Sequence, residues 1–254
     1  MKKRNKDIII IGIILVGLSI FLHYLHFLIF KDLHHTLIFL FADIAFIPME
    51  VFFTSVVIEK FLERREKSHM IEKINMLIGV FYSELGIKIL QLIIHGDNKV
   101  QALRKNAILD KNYNENDFKT LEEKFKSYNY ELDVHKIDLS SLKNILDAQK
   151  DFLINLISNP MLLEHEYFTE MLMSIFHLKE ELDSRYSNSN MKEYEIKHIE
   201  IDINIVYKFL AIEWVYYMKH LKEAYPQLFL KALINNPFDK SSKLEKDYKY
   251  MELK

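Results

Sequence analysis

The sequence predicts an all-α protein: a two-helix transmembrane hairpin followed by a cytoplasmic helical bundle. Three observations predict it. Two apolar stretches, residues 8–30 and 36–58, lie close together near the start of the chain, each with the roughly 20 residues a helix needs to cross about 30 Å of hydrocarbon. Only 5 glycines and 4 prolines occur in 254 residues, too few turn formers for a many-stranded sheet. Beyond the second stretch, apolar residues recur near the 3.6-residue period of amphipathic helices. The chain then divides into the hairpin with a juxtamembrane extension (1–68), a cytoplasmic helical domain (69–238) and a polar tail (239–254).

The first stretch, IIIIGIILVGLSIFLHYLHFLIF, carries no formal charge. The preceding MKKRNK resembles the basic region of a signal peptide. The apolar run is too long for a signal core, however, and no small-residue cleavage site follows it. The second stretch, TLIFLFADIAFIPMEVFFTSVVI, contains Asp43, Pro48 and Glu50. An acidic residue at mid-span costs about 2.5 to 3.5 kcal/mol, and each Leu, Ile, Phe or Val returns about 0.3 to 0.6. The second span is therefore marginal alone and plausible beside the first. Lys2, Lys3, Arg4 and Lys6 precede the spans, Lys60, Arg64, Arg65 and Lys67 follow them, and Lys31 alone lies between. The positive-inside rule places both termini in the cytoplasm and KDLHH outside, making a multi-pass protein of the cell membrane with the lipid bilayer as its first partner.

Ionisable residues within a span are candidate functional residues. Thr36, Asp43, Glu50 and Thr54 fall on one helical face, and Ser19, His23 and His26 on another. Antiparallel helices put His23, His26 and Asp43 at similar depth. The expected role is a polar contact that locks the hairpin. The alternatives are an ion or proton path, which two spans can enclose only by oligomerising, and fraying of the outer helix ends, which leaves the histidines near the headgroups.

Lys and Arg total 34 against 36 Asp and Glu, for a net charge of −2. No basic stripe marks a nucleic-acid partner. With no cysteine, disulfides and thiolate chemistry are excluded, and any metal would need His and carboxylates. No Gly-rich phosphate loop, nucleophile elbow or Cys/His metal motif is present. No catalytic residue, metal or cofactor is assigned.

The charges of EKFLERREKS alternate as the second helix leaves the membrane. Helices are then expected over 71–94, 99–109, 117–128 and 139–157, with Asn114 or Asn116 capping the third and 129–138 ambiguous. Asn159 and Pro160 form a cap and first-turn pair for a helix over 160–184. That helix faces inward with Phe168, Met171, Ile175, Leu178 and Leu182, carries Glu164 in its first turn, and turns His177, Glu166, Glu170 and Glu181 to solvent. After RYSNSN, Asn190 with Glu193 reads as a capping pair for the longest helix, 191–224. Pro226–Ile234 is one more short helix.

The long helix is the most informative. Glu195, His198, Asp202, Val206, Phe209, Glu213, Tyr216 and His220 follow one another by threes and fours and share one face. They form two groups, Glu195/His198/Asp202 and Glu213/His220 with Tyr216. About 16 Å separates Asp202 from Glu213 along the helix, too far for one ion. Glu-x-x-His is half of a di-metal signature. Its only companion, Glu66-x-x-His69, sits in the juxtamembrane charge run, so an intrahelical His198–Asp202 contact is the expectation. Trp214, Tyr216, Tyr217 and Tyr225 are expected to pack the core.

Three stretches together carry a resemblance: FADIAFIPMEVFFTSVVIEKFLERREK with INMLIGVFYSELG, then NPMLLEHEYFTEMLMSIFHLKEEL, then EWVYYMKHLKEAYPQLFLKALINNPF. They resemble an uncharacterised family of prokaryotic integral membrane proteins with two N-terminal spans and a cytoplasmic helical domain. The resemblance implies architecture and no chemistry. The functional expectation is a membrane-tethered interaction or regulatory module, acting through self-association or a protein partner at the cytoplasmic helices. The alternatives are the ion path and a metal-dependent enzyme using Glu195, His198 and Asp202.

Overall fold

A computed structural model describes residues 2–162, 165–185, 191–241 and 245. Glu164 and Asn190, and most of the polar tail, lie outside the described residues. Among those described, all regular structure is helical, and one isolated bridge pairs Asp97 with Leu132. The chain divides into two compact units, Met1–Lys67 and Ser68–Lys254.

The first unit contains α1 (Lys2–Phe30) and the opening part of α2 (Leu33–Phe81). Lys31 turns the chain with φ of 51°, and its N–H closes α1 on the Phe27 carbonyl at 2.8 Å. The Asp32 carboxylate then accepts the His35 N–H at 3.1 Å, capping α2. Both helices hold windows apolar enough to cross a membrane, with mean hydropathy 2.3 and 2.0. Among residues 10–58 only His23, His26, Thr36 and Val56 are partly covered, and the rest are exposed. α2 runs through Pro48.

In the second unit, the end of α2 contributes Ile74, Ile78 and Phe81 to the core. A π-helical turn, Tyr82–Gly86, leads into α3 (Ile87–Ile93). The short α4 (Gln101–Asn106) follows, then α5 (Glu115–Lys126), α6 (Leu139–Ala148), α7 (Lys150–Ile157), α8 (Glu166–Arg185), α9 (Glu193–Ala224) and α10 (Pro226–Ile234). α9 is the central helix: α3, α5, α8 and α10 all pack on it. It is apolar nearly all round along its middle, burying Tyr207, Leu210, Trp214 and Met218, the pattern of a helix enclosed by others. Aromatic rings join the neighbours, with Phe125 and Trp214 meeting Phe238 at 5.2 and 5.0 Å and Phe81 meeting Phe168 at 5.5 Å. Each such ring contributes roughly 1.5–3 kcal/mol through burial.

Several boundaries differ from the sequence expectation. Asn159 and Pro160 do not start α8. Asn159 Oδ1 accepts the Met161 N–H at 3.0 Å in a turn, and His165 caps the helix, its Nδ1 accepting the Phe168 N–H at 3.2 Å. The segment 139–157 is two helices that meet at Gln149, and 99–109 shrinks to the six residues of α4. Asn114 is the cap of α5, with its side chain on the N–H groups of Asn116 and Asp117. Tyr216 and Tyr225 stay partly exposed, at 37% and 36%, whereas Trp214 and Tyr217 are core.

A buried cation ties α6 to α8. Lys179, 2% exposed, pairs with Asp183, and Lys143 reaches both Asp147 and Asp183 at 2.5 Å. Hydrogen bonds from Lys143 and Lys179 hold the Asp183 carboxyl down to about 2.

Gly96 sits where no side chain fits. A Cβ there would lie 2.7 Å from Ile137 Cγ1 and 3.0 Å from the Asp133 carbonyl oxygen, while the Gly96 carbonyl accepts the Asp133 N–H at 2.9 Å. Gly96→Ala is expected to lower unfolding free energy by about 1–3 kcal/mol through this overpacking, as read by chemical denaturation.

Candidate functional site

Two clusters of titratable residues stand on α9. The first surrounds Glu213, which is 1% exposed and has no hydrogen-bond partner for either carboxylate oxygen. Taking the charge out of water favours the neutral acid, and burial pushes this carboxyl up to about 7. It lines a cavity of about 540 Å³ together with Asn75 of α2, Lys126 of α5, His165 and Tyr167 at the start of α8, and His220 of α9. The Tyr167 hydroxyl is also buried without a partner. The Tyr82 hydroxyl donates to the Leu210 carbonyl at 2.8 Å, and its ring stacks on Tyr217 at 4.8 Å. Both cavity histidines are shifted down by burial, which favours the neutral imidazole. At the rim, Tyr216 donates to Glu122, and Lys126 holds the same carboxylate at 2.5 Å.

The second cluster lies between α8 and α9. Asp202 is 7% exposed. Its Oδ2 stands 3.7 Å from His177 Nε2 and 3.8 Å from His198 Nε2 and has no hydrogen-bond partner. Burial raises the Asp202 carboxyl, and the two histidines oppose that shift. His198 Nε2 is also 3.6 Å from Glu181 Oε2, a carboxylate engaged by Arg185.

The sequence grouping around His198 needs correction. Glu195 is not part of it: its carboxylate turns back to accept the Lys192 N–H at 2.8 Å and caps α9. The third member is His177, which sequence periodicity assigned to a solvated face. Its ring is half exposed, yet its Nε2 reaches across to Asp202. The available signal was the pair His177 and Glu181, one turn apart on α8 and matching His198 and Asp202 on α9.

In the first unit, His23 Nε2 lies 3.6 Å from Asp43 Oδ2. His26 Nδ1 is 3.5 Å from the Thr36 hydroxyl, and its ring stacks on His35 at 5.5 Å. Glu50 is exposed.

Comparison with known proteins now bears on both units. A family model described as the C-terminal helical domain of uncharacterized protein MJ1433 matches residues 70–234, and one described as the N-terminal helical domain of MJ1433 matches residues 2–62. The chain belongs to the MJ1433 family. Uncharacterized protein MJ1433 of Methanocaldococcus jannaschii is 41% identical over 246 residues, 96% of this chain and 99% of that protein. No solved structure matches. Membership of the MJ1433 family carries two helical domains and no stated activity. The cavity around Glu213 and the His177/His198/Asp202 cluster both fall within the C-terminal match.

Proposed function

We propose that the chain is a membrane-anchored regulatory or interaction module. The first unit inserts in the bilayer as a helical hairpin with both termini on the cytoplasmic side. The second unit senses a small polar ligand or a partner through the cavity around Glu213. The observation that carries the anchoring is the exposure of the apolar residues of α1 and the first part of α2, such as Ile13 at 67% and Phe41 at 75%. Soluble monomers rarely expose a contiguous apolar patch beyond about 300–600 Å², and these two helices far exceed it. Hydrocarbon covers such helices without leaving backbone groups unsatisfied. The approach of His23 Nε2 to Asp43 Oδ2 at 3.6 Å, across the two helices, supports a hairpin lock over a lined ion path.

The cavity supports the ligand-sensing half of the reading. An unpartnered carboxyl and an unpartnered hydroxyl converge in an enclosure of small-molecule size, the arrangement that orients a bound molecule. The test of anchoring is extraction. Washed in alkaline carbonate, membranes from expressing cells are expected to retain the protein, and detergent is expected to release it. Release by carbonate alone would overturn the anchoring.

A further inference from the structure

We propose that His177, His198 and Asp202 form a binding site for a divalent transition-metal ion of the zinc class, closed between α8 and α9. Their ligand atoms lie within 4.8 Å of one another. The two imidazole Nε2 atoms stand 3.7 and 3.8 Å from the same carboxylate oxygen. That is too long for hydrogen bonds. It is close to the separation of two donors sharing one ion at about 2.0–2.2 Å, for which tetrahedral geometry gives roughly 3.4 Å. Rotation of the two half-exposed rings toward each other closes the set, which spans up to 4.8 Å.

Asp202 supplies the second reason. Its Oδ2 is buried and accepts no hydrogen bond, so a position for a cation stands where a donor is otherwise missing. Buried carboxylates without a partner are costly, and a metal ion would satisfy this one. Glu181 stays outside the set because Arg185 engages its carboxylate; beside His198, it is placed to steer that ring. Donors of the imidazole and carboxylate type suit zinc and its neighbours and give no preference for calcium or magnesium. Three protein ligands with two rings facing solvent leave a position for water or an anionic group, the open arrangement of a working site rather than a closed structural one. The site is separate from the Glu213 cavity and does not rest on the membrane reading.

The test uses the full chain, purified in detergent micelles, stripped of metal and titrated with Zn²⁺ by calorimetry and with Co²⁺ by visible absorption. Binding of one equivalent is expected, with Co²⁺ spectra of nitrogen and oxygen ligation, together with a rise in thermal midpoint on adding Zn²⁺. His177→Ala, at an exposed ring, is expected to weaken binding at least about 100-fold while keeping the helical circular dichroism and the metal-free midpoint. Asp202→Asn is expected to do the same to binding. His135→Ala, on an exposed turn elsewhere, is expected to bind as the parent does. Absence of saturable binding at one equivalent, or binding unchanged in both His177→Ala and Asp202→Asn, would overturn the site.

Discussion

Glu213→Gln is expected to raise the unfolding free energy by about 3 kcal/mol at pH 8 and by under about 1 kcal/mol at pH 5. The sign follows from proton linkage. The folded carboxyl titrates near 7 and the unfolded one near its ordinary 4.5, so the folded state binds the extra proton between those values. Stability from this group is fully present below pH 4.5 and is lost as pH rises through 7. The gap corresponds to roughly 3 kcal/mol at 1.36 kcal/mol for each tenfold change. Gln keeps the shape of the protonated acid and carries no charge at any pH, so the penalty disappears. The titratable groups around Glu213 are Tyr82 from the π-helical turn, His165 and Tyr167 from the start of α8, Lys126 from α5, and Tyr216, Tyr217, Lys219, His220 and Glu223 from α9 itself. His165 and His220 are shifted down and lose stability on acidification, the opposite slope, but they are common to both proteins and cancel in the difference. Trp214 is the sole tryptophan and is fully buried beside Glu213, so its fluorescence reports denaturation of this region. An equal difference at pH 5 and pH 8 would contradict a buried, proton-holding Glu213.

Asp97→Ala is expected to cost about 3–5 kcal/mol. Asp97 is 4% exposed and accepts the hydroxyls of Tyr207 at 2.9 Å and Tyr128 at 2.8 Å, with the Lys99 N–H at 2.8 Å. The carboxylate thus joins the chain after α3 to the central helix and to the segment that bridges at Leu132. Its removal strands the buried Tyr207 hydroxyl, at about 1–3 kcal/mol for a buried orphan, and also takes the partner of the half-buried Tyr128 hydroxyl and of the Lys99 amide. Tyr207→Phe removes one charge-assisted bond and is expected to cost about 1.5–3 kcal/mol, and Asp97→Asn to fall between the two. Denaturation curves of the three proteins, followed by Trp214 emission, give the ranking. A loss below about 1 kcal/mol for Asp97→Ala would show that water replaces the tyrosines.

The all-helical class was legible in the sequence because the helices carry their own period. Their number was not: 139–157 divides at Gln149, and the segment 71–94 is the end of α2, a π-helical turn and α3. Pro226–Ile234 begins at a proline and ends before Asn235, so its limits could be read directly. The inward face of α8, Phe168 through Leu182, is buried as its spacing implies. What periodicity does not give is the neighbour that a face meets. His177 is polar and exposed on its own helix, and only the crossing with α9 brings it to Asp202. The Asp97–Tyr207 bond spans 110 positions and leaves no local trace. The Asn159–Pro160 start was misplaced because a side-chain cap and a proline fit a turn as well as a first helical turn, and His165 is an uncommon capping residue. Glu195 matched a metal-ligand spacing and a capping position at once, and the backbone N–H of Lys192 took it.

Anchoring of the hairpin with both ends inside is tested most directly by cysteine labelling, for which a chain without cysteine is ready-made. His34→Cys, exposed in the first turn of α2, and Lys240→Cys, exposed after α10, are treated with a membrane-impermeant maleimide on intact cells and after lysis. His34→Cys is expected to label on intact cells and Lys240→Cys only after lysis. Labelling of Lys240→Cys from outside, or protection of His34→Cys until lysis, would contradict it.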